Sequence, residues 1–276
     1  MIKSVLAVSE GGPDAAMSFS LAARVAGEFG AAVDALHLPV GPAGGMVGGL
    51  AMSGEAMPLV MDLDDDRLEE RAKESNRAYQ QLLGSIKGAT YTAAKTATLD
   101  SLVAMGRCSD ILVLGRPGSD PENVAPATVE AALYECARAV MIAPPQARSG
   151  AFASVVVAWN GSFQAARALE YSLPFLQKAA KVTLLVVGAK ADDVGASYLA
   201  RNLGRHGFTP AIDVIDPGAV SGRARGRALL GYTHDKNADL LVMGAYGRGQ
   251  VMSFLGLGGA TGKVISSCRV PLLLAH

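Results

Sequence analysis

Apolar residues in this chain come in short runs that alternate with stretches of helical spacing. In the second half the runs fall at 154–159, 182–188, 211–215, 239–243 and 270–275. They are rich in Val, Leu and Ile and are bounded by Gly, Pro, Asp or Asn, as befits strands buried on both faces of a parallel sheet. Between them, 164–178, 194–206, 221–234 and 260–267 read as helices, and Ala165, Ala168, Leu169 and Leu173 fall on one face of the first. Strands alternating with helices predict βαβ units with right-handed crossovers.

The first half follows the same plan, with strands near 2–8, 32–38, 89–97, 110–114 and 139–143. Its long helix, 64–83, opens on Asp64, Asp65 and Asp66, where the helix dipole favours acids. A Gly- and Met-rich insert, 41–61, precedes that helix, and 144–150 is the linker between the halves. The halves repeat each other. SDILVLGRPG at 109–118 is echoed by ADLLVMGAYG at 238–247, an offset of 129. Residues 4–8 are echoed by 154–158, and 138–144 by 269–275. Three matches in one order indicate a duplicated domain, with copies at 1–145 and 151–276. The expected fold class is α/β: two Rossmann-like domains in tandem, each a five-stranded parallel sheet in the order 3-2-1-4-5.

Composition narrows the function. A length of 276 residues suits two domains, and 50% hydrophobic residues suffice for two cores. Lys plus Arg and Asp plus Glu are both 25, which excludes a generally basic nucleic-acid binder. That zero hides an asymmetry: net −6 over 1–148 and net +6 over 149–276. The halves should attract each other, and an anionic ligand should prefer the second. Aromatics at 5% argue against base-stacking platforms. Cys108, Cys136 and Cys268 form no C-x-x-C pair, which fits a reduced, cytoplasmic setting. The four histidines form no zinc pattern, so no metal site is expected. No apolar run reaches membrane-helix length, and residues 1–8 are too short for a signal peptide.

In an open parallel sheet, ligands bind at the carboxyl ends of the strands where strand order reverses. Here that is the loops after strands 1 and 4. In the second copy they are Trp159-Asn160-Gly161-Ser162 and the run from Gly244 through Tyr246, Gly247 and Arg248 to Gly249. The glycines admit an oxyanion to backbone N–H groups. Gly258, Gly259, Ala260 and Thr261 then open the last helix, whose N-terminus offers donors and a dipole to phosphate. Thr261 adds a hydroxyl and Arg248 a charge.

At these residues the chain resembles the universal stress protein family, of the adenine-nucleotide α-hydrolase-like fold group. The family signature is Gly-x2-Gly-x9-Gly-(Ser/Thr). Gly244 and Gly247 match it; Gly258-Gly259 follows after ten residues instead of nine, with Gly in the Ser/Thr place. Ala158 to Ser162 looks like the family's first-strand turn, with Asn160 where nucleotide-binding members usually carry Asp. The resemblance implies a site for ATP, AMP or ADP, with Mg2+ in the case of ATP. It is formed by Ala158, Trp159, Asn160, Gly161, Ser162, Val187, Met243, Gly244, Gly247, Arg248, Gly249, Gly258, Gly259, Ala260 and Thr261. It also implies an internal pseudo-dimer through the last strands, so that 139–143 and 270–275 become neighbours, with room for a further homodimer.

The first copy departs further. Gly115 and Gly118 remain, but no Gly pair follows, and Pro117 and Pro121 remove N–H donors. Asp120, Glu122 and Glu10 would repel phosphate, so loss of classical ATP binding is expected there. Glu10-Gly11-Gly12-Pro13-Asp14 superficially resembles an ATP-pyrophosphatase loop without its serines; a turn and helix start is the better reading. Met46, Met52, Met57 and Met61 fit a surface loop better than a soft-metal site. Tyr246 and Phe254 flank the Gly loop, and Arg223, Arg225 and Arg227 default to a solvated helix face. Asn160 and Ser162 compete between ligand contact and capping of the next helix. No general base stands beside the site, so catalysis is absent or at most a slow ATPase. The leading expectation is a cytoplasmic stress-response protein that binds an adenine nucleotide in its second copy, with no membrane or nucleic-acid partner. The rival is a scaffold of the same fold that binds no nucleotide.

Overall fold

The computed structural model of the chain describes residues 1–39, 65–94, 99–118, 123–219, 221–246 and 259–276. The 41–61 insert lies outside them, as do Gly247, Arg248, Gly249, Phe254 and Gly258. Contacts divide the chain into two units. One comprises 2–138 with 145–148; the other comprises 139–144 and 149–276, with Met1.

The first unit runs β1 (Ser4–Ser9), α1 (Pro13–Phe29), β2 (Ala32–His37), α2 (Asp65–Leu82), β3 (Thr90–Ala93), α3 (Asp100–Cys108), β4 (Ile111–Leu114) and α4 (Pro126–Glu135). Its strands pair in parallel in the order β3-β2-β1-β4, with Val5 opposite both Val33 and Ile111. Strands β1 and β4 are almost wholly buried, whereas β3 is largely exposed. This is why the runs at 4–8 and 111–114 are continuously apolar. Phe19, Ala22, Val25 and Ala26 form the buried stripe of α1. Covering such a side chain contributes about 1.5–3 kcal/mol for the larger ones.

The second unit runs β5 (Ala139–Ile142), β6 (Ser154–Ala158), α5 (Phe163–Lys178), β7 (Lys181–Val187), a 3-10 turn (Asp192–Val194), α6 (Ala196–Gly204), β8 (Ala211–Ile215), α7 (Gly222–Asp235), β9 (Leu240–Gly244), α8 (Ala260–Ser267) and β10 (Leu272–Ala275). Five strands pair in parallel as β8-β7-β6-β9-β10, the 3-2-1-4-5 order expected from the sequence. The sixth, β5, is antiparallel to β10, with Ile142, Met141 and Val140 opposite Leu272, Leu273 and Leu274. The strand that closes the first repeat in sequence therefore groups with the second unit in space.

Helix α5 buries Ala165, Ala168, Leu169, Phe175 and Leu176, and Phe175 meets Phe152 edge-on at 5.1 Å. Pro174 sits inside this helix, where it removes the N–H that would reach the Glu170 carbonyl. Two expected elements come out differently. The helix expected over 194–206 is a 3-10 turn followed by α6, broken where Gly195 takes φ 69°. The strand expected over 89–97 is the short Thr90–Ala93, an edge with little apolar surface to cover.

Candidate functional site

The second unit's site is built on two loops at the carboxyl ends of β6 and β9, which are neighbours in the sheet. From β6 the chain goes out to β7, and from β9 to β10, so the space between their ends is a topological switch point. After β6, the Trp159 N–H donates to the Leu185 carbonyl at 2.9 Å. Its indole Nε1–H donates to the Val194 carbonyl at 2.8 Å, which fixes the ring. Asn160 Oδ1 accepts the Ser162 N–H at 3.1 Å, and Ser162 Oγ accepts the Ala165 N–H at 3.2 Å. Ser162 thus caps α5, and Asn160 holds the turn through its oxygen while its amide donors remain at an exposed position. Gly161 makes the corner at φ 71°.

After β9, glycine is required by crowding. A Cβ on Gly244 would lie 2.6 Å from the Ala165 nitrogen and 2.7 Å from the Gln164 carbonyl carbon. The start of α5 therefore rests directly on the end of β9. Tyr246 takes φ 48°, an uncommon left-handed conformation for a residue with a side chain. Its N–H donates to Thr261 Oγ at 3.4 Å, and its carbonyl accepts from Gln164 Nε2 at 3.3 Å. Gln164 is buried, and its Oε1 has no hydrogen-bond partner among the described residues. The last wall is the start of α8. Its N-cap, Gly259, has no side chain, and none caps this helix among the described residues. The first turn of α7 packs against it, so that a Cβ on Gly222 would lie 3.0 Å from the Ala260 nitrogen.

These elements enclose a cavity of about 260 Å3. Ala158, Trp159, Asn160, Ser162, Val187, Met243, Gly244, Gly259, Ala260 and Thr261 line it, all singled out from the sequence. Gly161 shapes the turn without lining the cavity, and Gly247, Arg248, Gly249 and Gly258 lie outside the described residues. Sequence reading missed Gln164, Leu185, Gly222, Arg225 and Leu229 as site residues, and it left the place of Tyr246 undecided. Leu185 was within reach of the strand pattern, two residues before Val187 and so on the same face. Arg225 reaches the site from the helix after the third strand, which the switch-point reasoning does not cover. A Cβ on Gly188, at the end of β7, would lie 3.5 Å from its Nε.

The electrostatics have one sign. No Asp or Glu is among the described lining residues, and Arg225 is the cation among them. Groups of His, Cys, Asp and Glu arranged to hold a metal ion are absent among the described residues. Nor does a carboxylate stand among the described wall residues. This described wall can hold an anion and an apolar face.

The corresponding end of the first unit is built in reverse. Glu10 follows β1, is only 2% exposed, and reaches the start of α4. There it accepts the Ala125 N–H at 3.0 Å and the Thr128 hydroxyl at 2.5 Å. Burial pushes its carboxyl up to about 7, against the pull of these hydrogen bonds and of Arg71. Arg71 of α2 donates through Nε to the Glu10 carbonyl at 2.7 Å, and the Gly12 N–H donates to Glu74 at 3.0 Å. Gly11, at φ 84°, has Arg71 Cβ 2.6 Å from where its own Cβ would stand. Helix α2 therefore lies directly on the first turn. Burial, reinforced by Arg71, lowers the His37 imidazole to about 4.

Residues 151–276 match the model of the universal stress protein family. Among solved structures, a universal stress protein from Archaeoglobus fulgidus DSM 4304 is similar over 99% of this chain and 97% of its own, at 17% identity and TM-score 0.69. A proposed universal stress protein from Pseudomonas aeruginosa UCBPP-PA14 is similar over 99% and 93%, at 13% identity and TM-score 0.56. These likenesses are of fold. No curated protein sequence matches significantly. No described helix is long and apolar enough to cross a membrane. Residues 151–276 thus match the universal stress protein family, on an α/β chain similar in fold to a solved universal stress protein.

Proposed function

We propose that the second unit binds an adenine nucleotide, ATP or its AMP and ADP relatives, and works as a nucleotide-responsive stress protein with little or no catalysis. The observation that carries this reading is the start of α8, which has no side-chain cap among the described residues and opens on a cavity whose described wall holds no carboxylate. Its backbone N–H groups and the Thr261 hydroxyl suit phosphate oxygens. Val187, Leu185 and Met243 supply the apolar face for a base, and the amide donors of Asn160 suit base or ribose oxygens. Mg2+ would arrive on a triphosphate, since the described wall offers it no acidic ligand. The internal pseudo-dimer belongs to the same proposal.

Titration calorimetry of ATP with Mg2+ into protein stripped of bound ligand tests the reading. One site per chain is expected, together with adenine nucleotide released from unstripped protein on denaturation. No heat and no released nucleotide would sink it in favour of the scaffold.

A further inference from the structure

Helices solve the problem of their first N–H groups in two ways in this chain. Helices α5 and α7 use a local serine, Ser162 and Ser221, each accepting an N–H three residues on at 3.2 Å. Helix α4 has no such residue. Ala125 is its N-cap, Pro126 follows, and no side chain of its own caps it. One of its donors, the Ala125 N–H, is met instead by Glu10, 115 residues away in sequence. The two carboxylate oxygens divide the work, one taking the Ala125 N–H and the other the Thr128 hydroxyl. Burying a carboxyl there carries a desolvation cost that a local serine would avoid. A distant acid at a helix start, after the first strand of a doubly wound sheet, stands where a bound oxyanion would stand.

We propose that Glu10 is a built-in ligand: its carboxyl group occupies the donor-lined seat at the start of α4 and closes the first unit to external oxyanions. The seat is locked from the other side by α2. Arg71 binds the Glu10 and Gly11 carbonyls, and Glu74 takes the Gly12 N–H, so the turn that carries Glu10 is held against α2. The charge of Asp14 acts on Glu10 in the raising direction and is equally hostile to a second anion. The closure is independent of whatever the second unit binds.

Formate, which reproduces the carboxylate without its stem, is the probe. Thermal unfolding of Glu10→Ala is compared with the unaltered protein at pH 6 and equal ionic strength in chloride and in formate. The variant is expected to melt roughly 5 °C lower in chloride. Formate should return at least half of that loss while moving the unaltered protein far less. In Glu10→Ala combined with Thr128→Val, which dismantles the seat, formate should return nothing. An unchanged melting temperature, or an equal formate effect on both proteins, overturns the proposal. Should Glu10→Ala not fold, Glu10→Ser empties the same seat with a smaller loss of polarity and is read by the same criteria.

Discussion

The two units pose one problem twice and solve it oppositely. Each has a β1-type strand that ends beside the start of a late helix with no capping side chain of its own. In the second unit the strand continues into Trp159-Asn160-Gly161-Ser162, which folds its polar groups back on its own turn and leaves a cavity. In the first it continues into Glu10-Gly11-Gly12, which throws a carboxylate across the gap and is then covered by α2. The topology around the two sites is shared. What decides whether such a site is open is a single residue after the strand, and whether a crossover helix lies on the turn.

The largest expected difference lies in the glycines after the fourth strands. A Cβ at Gly244 meets backbone, the Ala165 nitrogen at 2.6 Å, which moves only with α5. A Cβ at Gly115 meets side chains instead of backbone, Val124 Cγ2 at 2.9 Å and Asp14 Cβ at 3.0 Å. Gly244→Ala should therefore cost about 3 kcal/mol and Gly115→Ala about 1 kcal/mol, as read by urea unfolding. Equal losses would show that both helices yield alike.

The first unit's buried pair predicts opposed responses to pH. Glu10 titrates at about 7 in the fold, above its ordinary 4.5, so the stability it lends is complete below pH 4.5 and is lost as pH rises through 7. His37 titrates at about 4, below its ordinary 6.5, so its share is complete above pH 6.5 and is lost as pH falls through 4. Between pH 4.5 and 6.5 the two slopes oppose and largely cancel. Glu10→Gln leaves His37 alone, and stability should then rise by about 3 kcal/mol from pH 4 to 6.5. Hydrogen exchange of the β1 and β2 amides measures this within the unit. Parallel pH curves for the variant and the unaltered protein would refute the assignment.

Smaller effects sharpen the contrast on the open side. Arg225→Glu puts an acid into a wall that has none among its described residues, and should weaken ATP binding roughly tenfold by calorimetry. Arg223→Glu, exposed on the same helix outside the cavity, is the control and should leave affinity near its original value. Smallest is Ser162→Ala, which removes the cap of α5 and should cost about 1 kcal/mol in urea unfolding.

The strand order of the second unit and most of its cavity wall were legible because they rest on local signals. Continuously apolar runs such as 155–157 and 240–243 mark strands covered on both faces, and glycines after them mark turns. Edges were less legible: Thr90–Ala93 and Ala211–Ile215 carry mixed patterns because one side meets water. The left-handed Gly195 that splits the expected 194–206 helix is a backbone choice, invisible to hydrophobic spacing. Arg225 escaped because its role depends on where α7 starts relative to β7. Glu10 looked repulsive to phosphate, and its charge was read correctly as hostile. That it already sits on the helix start follows only from bringing together residues 115 apart, and the cover by Arg71 only from the placement of α2.

The antiparallel pairing of β5 with β10 has a consequence for biosynthesis. The ribosome makes Ala139–Ile142 before any other strand of the second unit, yet its partner Leu272–Ala275 comes after all of them. The opening strand of that sheet must wait through nearly the whole of the unit's synthesis for its neighbour. A fragment cut at residue 151 would be born without it, presenting the bare side of β10 to any passing strand, its own twin included. The step that seals this sheet therefore follows the synthesis of all its other strands.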